Sequence, residues 1–176
     1  MKTLFLYITL LSTSCFAQKA VQQKTDPLSV DEYVASVNNL TLEAALDLQK
    51  RVTQTATSIG KNVTIAILDA SGNIILLTRG DGVGPHNTEA ARRKAYTALS
   101  TKTSTLVLLR NATLVAETKN LNTLPELLLL SGGVTIWYKG KVIGSIGVAG
   151  GGSAENDDLI AKSASITEIG ITTTNQ

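Results

Sequence analysis

The side chains best placed to move protons gather around one punctuated loop. Gly80-Asp81-Gly82-Val83-Gly84-Pro85-His86-Asn87 carries the chain's single histidine, and Glu89 follows three residues later. Asp81, His86 and Glu89 are thereby the one clustered acid/base set, the arrangement an enzyme acting on a small organic molecule would need. A hydrolytic triad finds no support: one histidine supplies one imidazole base, and Gly151-Gly152-Ser153-Ala154 falls short of a G-x-S-x-G elbow. Gly150-Gly151-Gly152-Ser153 precedes a helical pattern, a place where phosphate can bind. There, however, Glu155, Asp157 and Asp158 already complement the helix dipole and would repel an anion. The spacing of a nucleotide loop is absent, and no calcium-loop spacing gives the three acids a metal role. Arg79-Gly80-Asp81 reads as an ordinary turn.

These residues need elements to hold them. Thr41 is the expected N-cap of a first helix ending at Gly60, with Leu42, Ala45, Leu46, Val52, Ala56 and Ile59 as its apolar stripe and Asp47 and Arg51 one turn apart. Val63–Asp69 and Ile74–Thr78 read as a hairpin turned at Ala70–Asn73. A second helix is expected from about Thr88 to Thr101, with Asn87 as N-cap and Ala91, Ala95 and Ala98 letting it lie close against a sheet. A weaker third helix covers Ser104 to Glu117, and the apolar run Leu127–Leu130 follows. Alternation through Val134, Ile136 and Tyr138, a turn at Lys139-Gly140-Lys141 and the run Val142–Val148 give a second hairpin. Gly144 and Gly147 thin its second strand, as where a backbone or a flat ligand comes close. A last helix runs from about Ser153 to Glu168. The order α-β-β-α-α-β-β-α predicts an α/β (α+β) domain with a mainly antiparallel sheet flanked by helices, not a doubly wound one.

Lys2, the apolar run Leu4–Leu11 and Cys15-Phe16-Ala17 read as a signal peptide over residues 1–17, too short to remain as a membrane span. Residues 18–38 form a spacer, and 39–176 the domain. The expected location is secreted or periplasmic. A lipoprotein anchored through Cys15 is the weaker alternative, because Ser12 stands where a branched aliphatic residue is usual. Without Cys15 no disulfide is possible, so the core alone must hold the fold. A net charge of +2 gives no electrostatic reason to expect nucleic acid or an anionic membrane as partner. With 43% hydrophobic and 17% charged residues, the chain is expected to form a homo-oligomer.

From Leu40 to Ile169 the chain resembles the GlcG/HbpS-like haem-binding family, also called the haem-degrading or DUF336 domain. The resemblance rests on Val63–Asp69 with Ser71-Gly72-Asn73, on Arg79-Gly80-Asp81-Gly82, and on the helix Glu89–Thr101 with its Arg92-Arg93-Lys94-Ala95 core. It rests above all on Gly132-Gly133-Val134 through Gly144-Ser145-Ile146-Gly147-Val148-Ala149-Gly150-Gly151. Thr135 departs from the family, which commonly has proline after the paired glycines.

The resemblance implies a profilin-like fold, frequent homo-oligomers, and haem binding in some exported members. Other members accompany glycolate or corrinoid metabolism, so family points to fold more firmly than to ligand. Haem iron takes an axial ligand from His, Met, Cys or Tyr. On the implied reading the ligand is His86, with Tyr33, Tyr96 and Tyr138 as alternatives. Arg92 and Arg93 would meet the propionates, although at least two of Arg92, Arg93 and Lys94 are expected as solvated charges. Tyr96, Gly144 and Gly147 would also line the cofactor site, the glycine-thinned hairpin serving as a flat platform. The leading expectation is a secreted haem carrier or sensor binding haem or another flat small molecule. The alternatives are a small-molecule or corrinoid-related enzyme using Asp81, His86 and Glu89, and an oligomeric interaction module without a ligand.

Overall fold

The structure, a computed structural model, describes residues 33–175. The chain divides into two units, Met1–Ala35 and Ser36–Gln176, and the second carries the fold. The segment expected as a signal peptide and most of the expected spacer lie outside the described residues. Among those described, no helix is long and apolar enough to cross a membrane.

Five antiparallel strands form one sheet in the order β2-β1-β4-β3-β5, with β1 Thr64–Asp69, β2 Ile74–Arg79, β3 Gly133–Tyr138, β4 Lys141–Ala149 and β5 Ile171–Thr172. Both expected hairpins are present. Asp69 closes the first by accepting from the Ser71 and Asn73 backbone N–H groups at 2.8 Å each. Lys139 and Gly140, both at positive φ (48° and 71°), close the second as a two-residue turn whose twist suits the strands.

Strand alternation sends two different sets of side chains to the two faces. Ile65, Ile67, Val134, Ile136, Ile146 and Val148 join the large core beneath helix α1, Leu42–Ser58, and helix α5, Ala154–Lys162. Ala66 and Ala149 instead meet Ala91 of helix α2, His86–Thr101, in a core of small side chains.

Thr41 caps α1 as expected, its Oγ1 accepting from the Ala44 N–H at 3.2 Å. The buried stripe is Ala45, Leu48, Val52 and Ala56, whereas Leu42, Leu46 and Ile59 are exposed. Leu48 follows Ala45 by three and precedes Val52 by four, so it continues the line that Leu42 and Leu46 leave.

The expected helix over 104–117 is broken. Helix α3 spans Thr105–Asn111 and helix α4 Ala116–Asn120, with extended backbone at Val115 between them. Thr113 donates its hydroxyl to the Arg110 carbonyl at 2.6 Å, a local bond that competes with helix propagation. Helix α5 stops at Lys162, well before the expected end at Glu168. Ser163 bonds back to the Ile160 carbonyl at 2.7 Å, a 3-10 turn covers Thr167–Ile169, and Gly170 (φ +79°) turns the chain into β5. That strand has two residues, too few to show a period. In the leucine run, Leu127 and Leu129 point inward and Leu130 is half exposed, as extended backbone requires.

Candidate functional site

Helix α2 begins two residues before its expected start, and this moves His86 from the loop into the first helical turn. Pro85 precedes it with helical backbone, φ −62° and ψ −28°, which proline's ring already favours. Asn87 is therefore not the N-cap. Its side-chain Nδ2 donates to the Gly84 carbonyl at 3.2 Å, tying the loop to the helix. The His86 ring lies back over Gly84, whose lack of a Cβ leaves room for it: a Cβ there would sit 2.9 Å from His86 Cε1. The ring is exposed and makes no hydrogen bond among the described residues.

The loop that carries it walls a cleft of about 320 Å³, lined by Asn62, Asp81, Val83, Gly84, Asn87 and Gly150, and the His86 side chain is not part of that wall. Asn62 Nδ2 donates to the Asp81 carbonyl at 3.0 Å, which fixes the loop's far side. Gly82, at φ +75°, makes the turn that no side-chain-bearing residue would make without strain.

The proposed acid/base cluster does not close. Glu89 is taken by Arg92, whose Nε and Nη2 donate to its two oxygens at 3.0 and 2.7 Å, and Nη2 also reaches Glu126 at 2.7 Å. Hydrogen bonding to Arg92 holds the Glu89 carboxyl below its ordinary value. The same bonds, from Glu89 and then Glu126, raise the Arg92 guanidinium. Asp81 is exposed, and no hydrogen bond joins it to His86 or Glu89 among the described residues.

The expectation that most of Arg92, Arg93 and Lys94 are solvated charges is overturned, because each has partners within the fold. Arg93 Nη2 donates to the Leu127 carbonyl at 2.7 Å, which anchors the leucine run. Lys94 is 4% exposed, and its Nζ donates to Asp157 Oδ2 at 2.8 Å and to the Val148 carbonyl at 2.9 Å. Asp157 Oδ1 in turn accepts from the Gly151 N–H at 2.7 Å. One ion pair thus joins α2, the end of β4, the glycine-rich turn and the start of α5. Lys94 lies among Ala91, Ala95 and Ala98, so its place within a small-residue face was the available sign of burial.

The acids at the start of α5 separate by role. Asp157 holds Lys94, Asp158 meets Lys162 at 2.6 Å, and Glu155 is exposed near Arg110 at 3.9 Å. No group of three acidic, histidine or cysteine side chains suited to a metal ion occurs among the described residues.

Gly144 and Gly147 do not make a platform. They belong to opposite faces of the sheet, and the chain itself covers both. A Cβ on Gly147 would overlap the Ala91 carbonyl oxygen, and one on Gly144 the Leu68 carbonyl oxygen and, at 2.5 Å, the Leu40 side chain. Their small size admits a helix backbone on one side and a leucine on the other. Tyr96 is half-buried with its ring against Gly72 of the first hairpin, about 15 Å along α2 from His86 at the usual helical rise. Tyr138 has the Lys139 ammonium 5.1 Å from its ring centre, and Tyr33 is exposed in the other unit.

The comparisons with known proteins agree on one relationship. The family model described as haem degrading protein HbpS-like matches residues 40–165. The crystal structure of HbpS shares 34% identity with the chain, covering 76% of this chain and 92% of that one, at a TM-score of 0.70; a double mutant of HbpS from Streptomyces reticuli superposes equally well. Klebsiella pneumoniae ORFY is 28% identical over 74% of this chain and 91% of its own, with a TM-score of 0.68. PduOC, solved as a haem complex, is 27% identical over 77% and 98%, with a TM-score of 0.67. An uncharacterised 15.0 kDa protein of Citrobacter freundii, from the dhaT-dhaS intergenic region, is 29% identical over 73% of this chain and 91% of its own. The family match over residues 40–165 takes in helices α1 to α5, strands β1 to β4, His86 and the Lys94–Asp157 pair, and the chain belongs to the HbpS-like haem-degrading protein family.

Proposed function

We propose that this protein is an exported haem-binding protein, a carrier or sensor, with His86 as the axial ligand to haem iron. The observation that carries the reading is the state of His86: exposed, with no hydrogen bond among the described residues, on a loop whose Gly84 and Asn87 line an open cleft. Neutral imidazole nitrogen is a fitting donor to haem iron, which supplies ligand-binding and redox chemistry when haem is held. Tyr96 and Tyr138 have rings engaged against Gly72 and Lys139, which leaves them second to His86. Arg92 and Arg93 would reach a propionate only by leaving their present partners.

Replacing His86 with alanine is expected to abolish or shift the Soret band of a haemin titration and to change unfolding stability by no more than about 0.5 kcal/mol, as for an exposed position. An unchanged spectrum with unchanged affinity would move the ligand to a tyrosine or to stacking alone.

The cleft is open and small beside a macrocycle, so a second subunit closing over it is part of the proposal. Val107, Leu114, Leu124 and Leu130 are large apolar side chains left exposed, Leu114 by 84%, which supports a homo-oligomer. Light scattering at micromolar concentration is expected to give a multiple of the chain mass; the single-chain mass would refute assembly. Export is proposed from the N-terminal pattern. Intact-mass measurement of the exported form should give a chain beginning at Gln18, and retention of Met1–Ala17 or a lipid-modified Cys15 would replace that assignment.

A further inference from the structure

The end of α2 opposite His86 borders a second cleft, of about 280 Å³, at the outer edge of β3. Its wall includes Trp137, Thr135, Lys102, Lys162, Ser104 and Thr173, and no acidic side chain. Sixteen helical residues separate the two sites, about 24 Å at 1.5 Å per residue.

Three features of this cleft are unspent by the fold. First, β5 pairs with β3 only at Trp137 and Tyr138. The Gly132 carbonyl accepts from Val148 of β4, and the next N–H, that of Gly133, donates the other way, to Thr105 Oγ1 at 2.8 Å. Alternation along an antiparallel strand then directs the Thr135 N–H and C=O away from β4 as well, into the stretch of edge that β5 leaves unpaired. Thr135 is 4% exposed, so this backbone edge is sheltered yet lacks a strand partner. The Thr135 hydroxyl is occupied, donating to the Ala98 carbonyl at 2.9 Å.

Second, Lys102 follows the last residue of α2 in the left-handed conformation, φ 51° and ψ 29°. Glycine takes that position without steric cost, and the helix dipole favours a cation near it without requiring this conformation. A strained residue held at the mouth of a cleft points to use. Lys102 has no ion-pair partner among the described residues, whereas Lys162 is held by Asp158 at 2.6 Å. Third, the half-buried Trp137 presents the chain's one indole to the same space.

We propose that this cleft binds a small aromatic carboxylate: the carboxylate on Lys102 and the Thr135 N–H, the ring against Trp137. Its volume, near the lower end of the roughly 300–1,000 Å³ of ligand pockets, suits a ligand of one ring or two.

Benzoate is the probe and benzamide its uncharged counterpart, each titrated into the full mature chain while the Trp137 indole N–H is followed by NMR. Benzoate should produce a saturable shift and benzamide little or none. Lys102→Gly removes the cation and relieves the left-handed backbone, so it should fold normally and bind benzoate about tenfold more weakly, the loss of one charge-assisted contact. His86→Ala should leave the benzoate titration unchanged, which separates this site from the haem proposal. The proposal is overturned if benzoate gives no saturable shift, if benzamide binds as well, if Lys102→Gly binds undiminished, or if His86→Ala removes benzoate binding.

Discussion

Lys94→Met is expected to destabilise the domain by about 3–5 kcal/mol, because it leaves the Asp157 carboxylate buried without its counter-charge. The Lys94 and Asp157 side chains are 5% and 12% exposed, so water cannot take over the lost bond without opening the structure. The Val148 carbonyl loses a donor at the same time. Charge burial alone predicts a further result: the double variant Lys94→Met, Asp157→Leu should be more stable than the single one, since no unpaired charge remains. Recovery should be incomplete, because Asp157 also accepts from the Gly151 N–H. Urea unfolding of both variants measures this directly. A single variant within about 1 kcal/mol of the parent would mean that the pair carries little of the fold. Gly150, next to Gly151, walls the cleft at the His86 loop, so under the proposed function loosening this turn should also weaken haem binding in the single variant.

Which parts of this arrangement the sequence discloses follows from how local each signal is. Both hairpins, the Thr41 cap and the flanking-helix architecture are legible because alternation, turn residues and capping hydroxyls act within a few residues. The helix α5 expected from the sequence extends too far because Ser163-Ala164-Ser165 carries no strong stop, and β5 is invisible at two residues in length. The break between α3 and α4 depends on a threonine hydroxyl choosing a backbone partner, a competition that propensity does not resolve.

The site divides along the same line. His86 is identifiable from its singularity and its glycine-rich loop. Its entry into the first turn of α2 rests on Pro85, which can open a helix as readily as end a loop. The Lys94–Asp157 pair joins residues 63 positions apart, a separation no local pattern spans. Arg92 illustrates the converse case. Its Glu89 partner is one turn away and readable, while Glu126, 34 positions distant, is placed only by the docking of the leucine run. Gly144 and Gly147 stand out in the sequence as positions of close approach, yet residue types leave open whether backbone or ligand approaches, and the two faces of the sheet give the answer.

That answer makes Gly147→Ala the second variant of large expected effect, a loss of more than about 4 kcal/mol or failure to fold. Its new methyl would overlap the Ala91 carbonyl oxygen and lie 2.7 Å from the Ala95 nitrogen, both backbone atoms of α2 that no rotamer change can move. Ordinary overpacking costs about 1–3 kcal/mol because side chains yield; here the whole helix must lift from the sheet. Lifting α2 would also pull Thr135 from Ala98 and Lys94 from Val148, so the penalty spreads beyond one contact. Gly140→Ala is the control. Gly140 has φ +71°, and a methyl group there would have no neighbour within 4 Å, so only the backbone strain of about 1–2 kcal/mol should appear. Were Gly147 instead part of a ligand platform, its alanine variant would unfold like the parent and lose only haem affinity. Thermal unfolding and haemin titration on the same two variants decide between these outcomes, because packing and platform predict opposite pairs of results.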